Sequence, residues 1–373
     1  MTPKERVLAA INHKLPDKMP TDLGTTNCTS IVIQAYTRLK KHFKVEKPDV
    51  LLFDSFQIMK VDEEILELLE VDTRAVPGKP HLYAKTVINE NCYIDHFGIK
   101  FAKPENGLYF DIVQSPLADM ETLEEVKEYQ WPDPKNPAVV EGLKEEALRL
   151  HKENRYAIVG DIINSGIWEA SQNMRGFQNF LIDIMVNKDI AHYVLEKMVE
   201  FQKGRQVEYL NAVGEYLDVV FVGDDLATSQ NTVMSLDIFR EMVKPYLKEY
   251  YSFIKKRTKA KLMYHSCGAI TPFLDDLIEI GVDILNPIQV NAAGMNTKEL
   301  KKRFGDRLCF WGGIDAHNVM PKGTPRDVQE EVRRRIADLG PEGYVCCENH
   351  NIQADIPTEN IIALYKSAKS VML

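Results

Sequence analysis

The sequence predicts an α/β fold, a single-domain (β/α)8 barrel over residues 1–373 with a hairpin-containing insertion between its second and third strands. Three observations lead there. Eight short apolar runs, each ending in a small or polar residue, recur along the chain and are followed by longer segments of helical character. The stronger runs are continuous rather than alternating, as expected of strands buried on both faces in a parallel sheet. The segments Asp237–Lys256 and Thr324–Leu339 carry the three-and-four spacing of a one-sided apolar stripe, which suits helices laid over such a sheet. Eight units favour closure into a barrel; an open doubly wound sheet is the alternative.

Taken in order, the first 14 residues, MTPKERVLAAINHK, read as an amphipathic helix capped by Thr2 with Pro3 in its first position. The predicted strands are Met19–Gly24, Val50–Asp54, Tyr156–Asp161, Asp218–Gly223, Lys261–His265, Asp283–Pro287, Leu308–Gly312 and Gly343–Cys347. Between the second and third lies an interruption from about Arg74 to Asp133. Its alternating pieces Tyr83–Ile88 and Cys92–Gly98 predict one or two hairpins, and Trp131–Pro134 closes it. Ser235 and Thr297, each just before a helical stretch, are expected to act as helix caps. No solenoid repeat, low-complexity tract or flexible linker divides the chain.

Composition narrows the function classes. Apolar residues make up 45% and charged residues 27%, the balance of a globular chain with a substantial core. The formal net charge is -9, and the basic runs Lys40–Lys44 and Lys255–Arg257 are short, so nucleic acid is not an expected partner. The first residues lack an apolar signal core, and no window offers the roughly 18 uncharged apolar residues of a membrane span. A cytoplasmic location is therefore expected, with no membrane partner. The six cysteines, at 28, 92, 267, 309, 346 and 347, show no regular spacing, which points to metal or thiol chemistry instead of a disulfide framework.

In a (β/α)8 barrel the chemistry sits at the carboxyl ends of the strands, around one mouth. Those ends supply Asp22 and Gly24; Asp54; Asp161 and Asn164; Asp224 and Asp225; His265 and Cys267; Asn286 and Gln289; Asp315 and His317; and Cys347, Asn349 and His350. In Lys261–Gly268, KLMYHSCG, the histidine and cysteine are two apart, so on an extended segment both face the same way and can reach one ion. A catalytic zinc takes three protein ligands and keeps a fourth position open. The third is sought in Cys346–His350, since zinc accepts this mixture of imidazole and thiolate. The competing reading of the spacing is a hydrogen-bonded core histidine beside an inert buried thiol.

Several segments together carry a resemblance: MTPKERVLAAINHKLPDKMPTD at the start, Gly176–Leu181 (GFQNFL), Tyr264–Gly268 (YHSCG), Phe310–Asp315 (FWGGID) and His350–Asn360 (HNIQADIPTEN). Over essentially the whole chain the sequence resembles the uroporphyrinogen decarboxylase superfamily, which implies a (β/α)8 barrel. True decarboxylases of that superfamily have an arginine-rich segment after the first strand that holds substrate carboxylates. The corresponding Gly24–Ser30, GTTNCTS, has no arginine, and bidentate pairing needs guanidinium groups. The methyltransferase branch carries His-x-Cys on the fifth strand and a third ligand, usually cysteine, after the eighth. His265 and Cys267 match; His350 stands where the third ligand falls, and Cys347, three residues earlier, is the alternative.

The resemblance implies the first component of a corrinoid-dependent demethylase. Such a protein moves a methyl group from a small methoxylated or methylated substrate to the cobalt of a separate corrinoid protein, which docks transiently over the barrel mouth. Zinc held by His265, Cys267 and His350 is the implied metal, and the corrinoid belongs to the partner, since no corrinoid module is fused here. Asp224 and Asp225 are the candidate catalytic carboxylates, orienting substrate or protonating the departing oxygen. Asp54, Asn164, Trp168, Glu169, Asn286 and Asp315 are candidate substrate-binding residues, with Trp311 as a further aromatic near the mouth. Helix capping and support of His265 are the competing roles for the two aspartates. A homodimer is among the expected states. A decarboxylase of a carboxylated, porphyrinogen-like substrate and a non-catalytic metal- or corrinoid-binding protein are the rival functions.

Overall fold

Where β-branched and aromatic residues run together, the chain forms short strands that the intervening helices cover. The structure is a computed structural model describing residues 1–79, 83–105, 107–161, 166–371 and 373. Strands β1 (Ile31–Val32), β2 (Leu51–Phe53) and β3 (Ile58–Met59) form a small antiparallel sheet in the order β1-β3-β2. After β4 (Thr73–Pro77), a second antiparallel sheet contains β5 (Thr86–Asn89), β6 (Cys92–Ile94), β7 (Lys100–Ala102) and β8 (Asp111–Gln114). The main sheet adds β9 (Ala157–Asp161), β10 (Val219–Gly223), β11 (Lys261–His265), β12 (Ile284–Asn286), β13 (Cys309–Trp311) and β14 (Tyr344–Val345). It is seven-stranded and parallel, ordered β14-β13-β12-β11-β10-β9-β4.

This sheet curls until its two edges meet across residues 20–22. Cys346 N–H donates to Pro20 O at 2.9 Å and Asp22 N–H to Cys346 O at 3.3 Å, while Asp72, just before β4, donates to Thr21 O at 3.1 Å. The predicted first strand is thus present as a hydrogen-bonded segment at the seam, with Thr21 paired to Cys346, and the fold is barrel-like. The seam is also fastened by charge. Buried Asp72 accepts from Arg6 Nη1 at 2.5 Å and from Thr21 N–H at 2.8 Å, and is salt-bridged to Lys369. One carboxylate therefore ties the first helix, Pro3–Ile11, and the last, Thr358–Ser370, to the closing segment.

Side-chain alternation builds two cores. Ala157 and Val159, Val219 and Phe221, Met263, Cys309 and Trp311, and Val345 and Cys347 point inward with Val7, Ala10 and Ile11 of the Pro3–Ile11 helix. Their neighbours Ile158, Val220, Leu262, Tyr264, Phe310, Tyr344 and Cys346 face outward into the layer shared with the helices. The first helix is anchored by Lys4 N–H on Arg155 O at 2.9 Å, ahead of β9, so it plugs the amino end and leaves the carboxyl end as the mouth. Its predicted cap is present: Thr2 Oγ1 accepts from Glu5 N–H at 3.2 Å and Glu5 Oε2 accepts in return at 2.8 Å. None of the described helices is long and apolar enough to cross a membrane.

Two expectations require correction. Val50–Asp54 is not the second strand of the main sheet; Leu51 is 42% exposed, and β2 pairs antiparallel with β3. The second strand is Thr73–Pro77, hidden in the sequence by Arg74 and Pro77. Arg74 is tolerated there because its guanidinium pairs with Glu63 at 2.5 Å and lies 3.4 Å from the centroid of the Tyr156 ring. The second correction concerns a cap. Ser235 does cap, accepting from Ile238 N–H at 3.3 Å, but the cap at Thr297 is its predecessor Asn296, which accepts from Lys298 and Glu299 at 3.1 and 3.2 Å. Thr297 instead donates to Asp338 Oδ2 at 2.6 Å.

Candidate functional site

The inward alternation of β11 runs Lys261, Met263, His265, and the next residue of that parity is Cys267. Both ligand-type side chains therefore arrive at the mouth on the same side. His265 pairs in register with Gly223 on one side and Asn286 on the other. Gly223 has to lack a side chain, since a Cβ there would stand 2.8 Å from the His265 Cβ. At the other end of the sheet's arc, His350 follows β14 and comes round to face them. The ligand atoms of His265, Cys267 and His350 lie within 4.8 Å of one another, with His265 Nε2 and Cys267 Sγ 3.6 Å apart.

Hydrogen bonding fixes which nitrogen of each ring is free. Asn286 Nδ2 donates to the carbonyl of Trp311 at 3.1 Å, so its Oδ1 is the atom facing His265 Nδ1 at 2.8 Å. Nδ1 must then carry the proton, and Nε2 presents its lone pair toward Cys267. His350 repeats the arrangement. Asn351 Nδ2 donates to Asn27 O at 3.2 Å, leaving Oδ1 to accept from His350 Nδ1 at 2.9 Å. Orienting partners of this sort set the tautomer of a metal-binding histidine. Neither role is legible in the sequence, where Asn286 is a candidate substrate-binding residue and Asn351 lies in no ligand pattern.

Acidic groups crowd the site. Burial, then Asp225 and Glu169, raises the Cys267 thiol well above its ordinary value. Burial, then Asp225 and Asp224, does the same to the Glu169 carboxyl. Asp224 is pushed up to about 7 by burial, although backbone N–H groups at the head of the helix Ile167–Arg175 oppose this. Ile167 N–H donates to Asp224 Oδ2 at 3.0 Å and Glu169 N–H to Oδ1 at 2.8 Å. Asp225 Oδ1 accepts from Cys267 N–H at 2.7 Å and lies 3.8 Å from His265 Nε2. Two imidazoles and a thiol among carboxylates fit a divalent cation, which would deprotonate the thiol and repay its burial.

His350 is pushed down to about 4, chiefly by burial and next by His265, so its ring is neutral at neutral pH and ready to ligate. This gives a pH dependence with a definite sign. The folded-state value lies below the 6.5 of the unfolded ring, so between 6.5 and about 4 the unfolded chain binds the extra proton. The metal-free protein is expected to lose stability as pH falls through that window, and His350→Gln to flatten the slope. Urea midpoints of the two proteins between pH 7 and 4 measure it; parallel profiles would refute the assignment.

The other predicted residues divide sharply. Asp225 and Glu169 are brought to the cluster, whereas both Asp224 oxygens are engaged by the helix head. Trp168 is fully buried in the outer core, 5.2 Å from the Phe180 ring centroid, and is not a pocket wall. Trp311 is buried in the inner core, donating to Asp22 Oδ2 at 3.0 Å. Asp54 pairs with Lys85 at 2.7 Å and lines a cavity of about 340 Å³ with Glu169 and the rings of Phe53, Phe56 and Tyr93; Phe56 also lines the cavity at the cluster. Asp315 accepts from Asn291, His317 and Asn318 and organises its own loop. Asn164 lies outside the described residues. Cys347 is fully buried in the inner core and outside the three-residue cluster, so His350 is the third residue that the fold delivers.

The cluster opens on a cavity of about 670 Å³, walled by Cys267, His350, Gln289, His317, Asn349 and Tyr109 among others. No lysine or arginine is among its described lining residues. The fold is that of a barrel-like α/β protein, and the cluster lies at the carboxyl ends of its strands. The model of the uroporphyrinogen decarboxylase (URO-D) family matches residues 94–371, and the chain belongs to that family. A uroporphyrinogen decarboxylase from Trichodesmium erythraeum (strain IMS101) is 21% identical over 280 residues, covering 72% of this chain and 74% of that protein. A methyltransferase from Methanosarcina mazei has the same fold, with a TM-score of 0.69 at 19% identity over 99% of this chain and 98% of that one.

Proposed function

We propose that the protein is a methyltransferase of the URO-D family, which takes a methyl group from a small methoxylated or methylated compound and passes it to a corrinoid carried by a separate protein. The observation that carries this reading is the convergence of His265, Cys267 and His350 within 4.8 Å at the mouth of a cavity with no lysine or arginine among its described lining residues. Those three residues would hold zinc. When bound, it supplies Lewis acidity toward an ether oxygen or holds a thiol substrate as thiolate.

The chain's own groups do the rest. Asn286 and Asn351 keep the two Nε2 lone pairs facing the site. Asp225 fixes the backbone of Cys267, and Asp224 holds the head of the helix that carries Glu169. Glu169, kept protonated by burial and its carboxylate neighbours, is the group placed to hand a proton to a departing oxygen. A polycarboxylate substrate fits poorly, because the loop after the seam segment offers Thr25, Thr26, Asn27 and Thr29 where a decarboxylase needs cations. The test is a cobalamin methylation assay of zinc-supplemented protein over methoxyarenes, methylamines and methanethiol. Methyl-cobalt formation with one class is the expected result. Decarboxylation of a carboxylated substrate without metal, or metal binding with no transfer to any acceptor, would overturn it.

A further inference from the structure

The loop between the seam segment and β1 brings a second sulfur to the same imidazole. Cys28 Sγ lies 3.6 Å from His265 Nε2, the same separation as Cys267 Sγ. Two donors bound to one tetrahedral zinc, at about 2.0 to 2.1 Å for nitrogen and 2.3 Å for sulfur, stand roughly 3.6 Å apart. Each sulfur thus already sits at the nitrogen-to-sulfur edge length from His265 Nε2, although the tight cluster within 4.8 Å is formed by His265, Cys267 and His350, so the loop of Cys28 has to close in on the ion.

The position is built. Asn27 N–H donates to Asp161 Oδ2 at 3.1 Å, tying the loop to the end of β9, and Asn27 O accepts from Asn351 Nδ2 at 3.2 Å. Asn351 is the residue that orients His350, so one amide holds the third ligand and the loop bearing Cys28 together. Within the loop, Thr26 Oγ1 accepts from the N–H groups of Cys28 and Thr29 at 3.2 and 3.1 Å. On its far side, Ile352 N–H donates to Ser30 O at 2.8 Å and Val32 N–H to Ile352 O at 3.0 Å. Asn27 Oδ1 accepts the Cys28 S–H at 3.3 Å, and turning that amide would offer its N–H side to a thiolate.

We propose that Cys28 is the fourth ligand of the resting metal centre, giving a set of two sulfurs and two nitrogens from Cys28, Cys267, His265 and His350. The inference rests on the zinc reading above and deepens it. A catalytic zinc needs a position for substrate, and Cys28, on a loop and not on a strand, is the ligand that substrate displaces. Zinc-edge X-ray absorption of the full-length protein counts sulfurs directly, and cobalt substitution gives an independent thiolate charge-transfer band.

The wild type is expected to show two sulfurs, and Cys28→Ala and Cys28→Ser one each, with a weakened cobalt band and zinc bound at least tenfold more weakly. Melting curves of both variants confirm that the fold persists. If the wild type shows one sulfur, or Cys28→Ser keeps the wild-type spectrum, zinc is bound but Cys28 is not one of its ligands. If the wild type takes up no zinc, or Cys267→Ala leaves uptake unchanged, the zinc reading itself falls and this inference with it.

Discussion

His265→Ala and Cys267→Ala are each expected to strip the protein of stoichiometric zinc and to lower methyl transfer by more than the roughly 10- to 100-fold that loss of an outer hydrogen-bonding partner costs a metal site. Either change removes a donor from the cluster whose ligand atoms lie within 4.8 Å. The reason reaches beyond the missing bond. Cys267 is buried beside Asp225 and Glu169, so without a cation the thiol is held protonated. Elemental analysis after dialysis, alongside single-turnover methylation of cobalamin, measures both effects. Full zinc content in both variants would remove the metal centre from this part of the barrel.

The second large effect concerns stability. Asp72→Ala is expected to destabilise the fold by about 3 to 5 kcal/mol, the range for removing one member of a buried ion pair. Asp72 lies fully buried between Arg6 and Lys369 and also accepts from Thr21 N–H at 2.8 Å. Its loss leaves Lys369 buried without its carboxylate and unfastens the segment that joins β14 to β4. Asp72→Asn should cost less, since an amide oxygen still accepts from Thr21. Urea titration at neutral pH reads the difference; a shift below about 1 kcal/mol for Asp72→Ala would mean that the seam holds without it.

The strands that the sequence revealed share one property. Asp218–Gly223, Lys261–His265 and Leu308–Gly312 are apolar because both of their faces are buried, one against the inner core and one against helices, and that burial is written into composition. Val50–Asp54 has the same composition but is partly exposed, and Thr73–Pro77 is a true strand whose arginine is neutralised by Glu63 and Tyr156 from elsewhere. Local pattern could not separate these two, because what distinguishes them is a partner distant in sequence. Trp168 illustrates the same limit: an aromatic after a strand end reads equally as pocket wall or core, and only the position of Phe180 makes it core.

For the site, the sequence by itself determined the pair His265 and Cys267, because two-residue alternation on one strand is a local property that sends both side chains one way. It also excluded an arginine clamp, since Gly24–Ser30 contains none. Only the tertiary structure decided the rest. Closing the sheet brings His350 from the end of β14 beside them, keeps Cys347 in the inner core, and lowers the loop of Cys28 onto His265 through Asp161 and Asn351. Those contacts join residues 83 to 324 positions apart, and no periodicity in a chain encodes a distance that only the curl of the sheet creates.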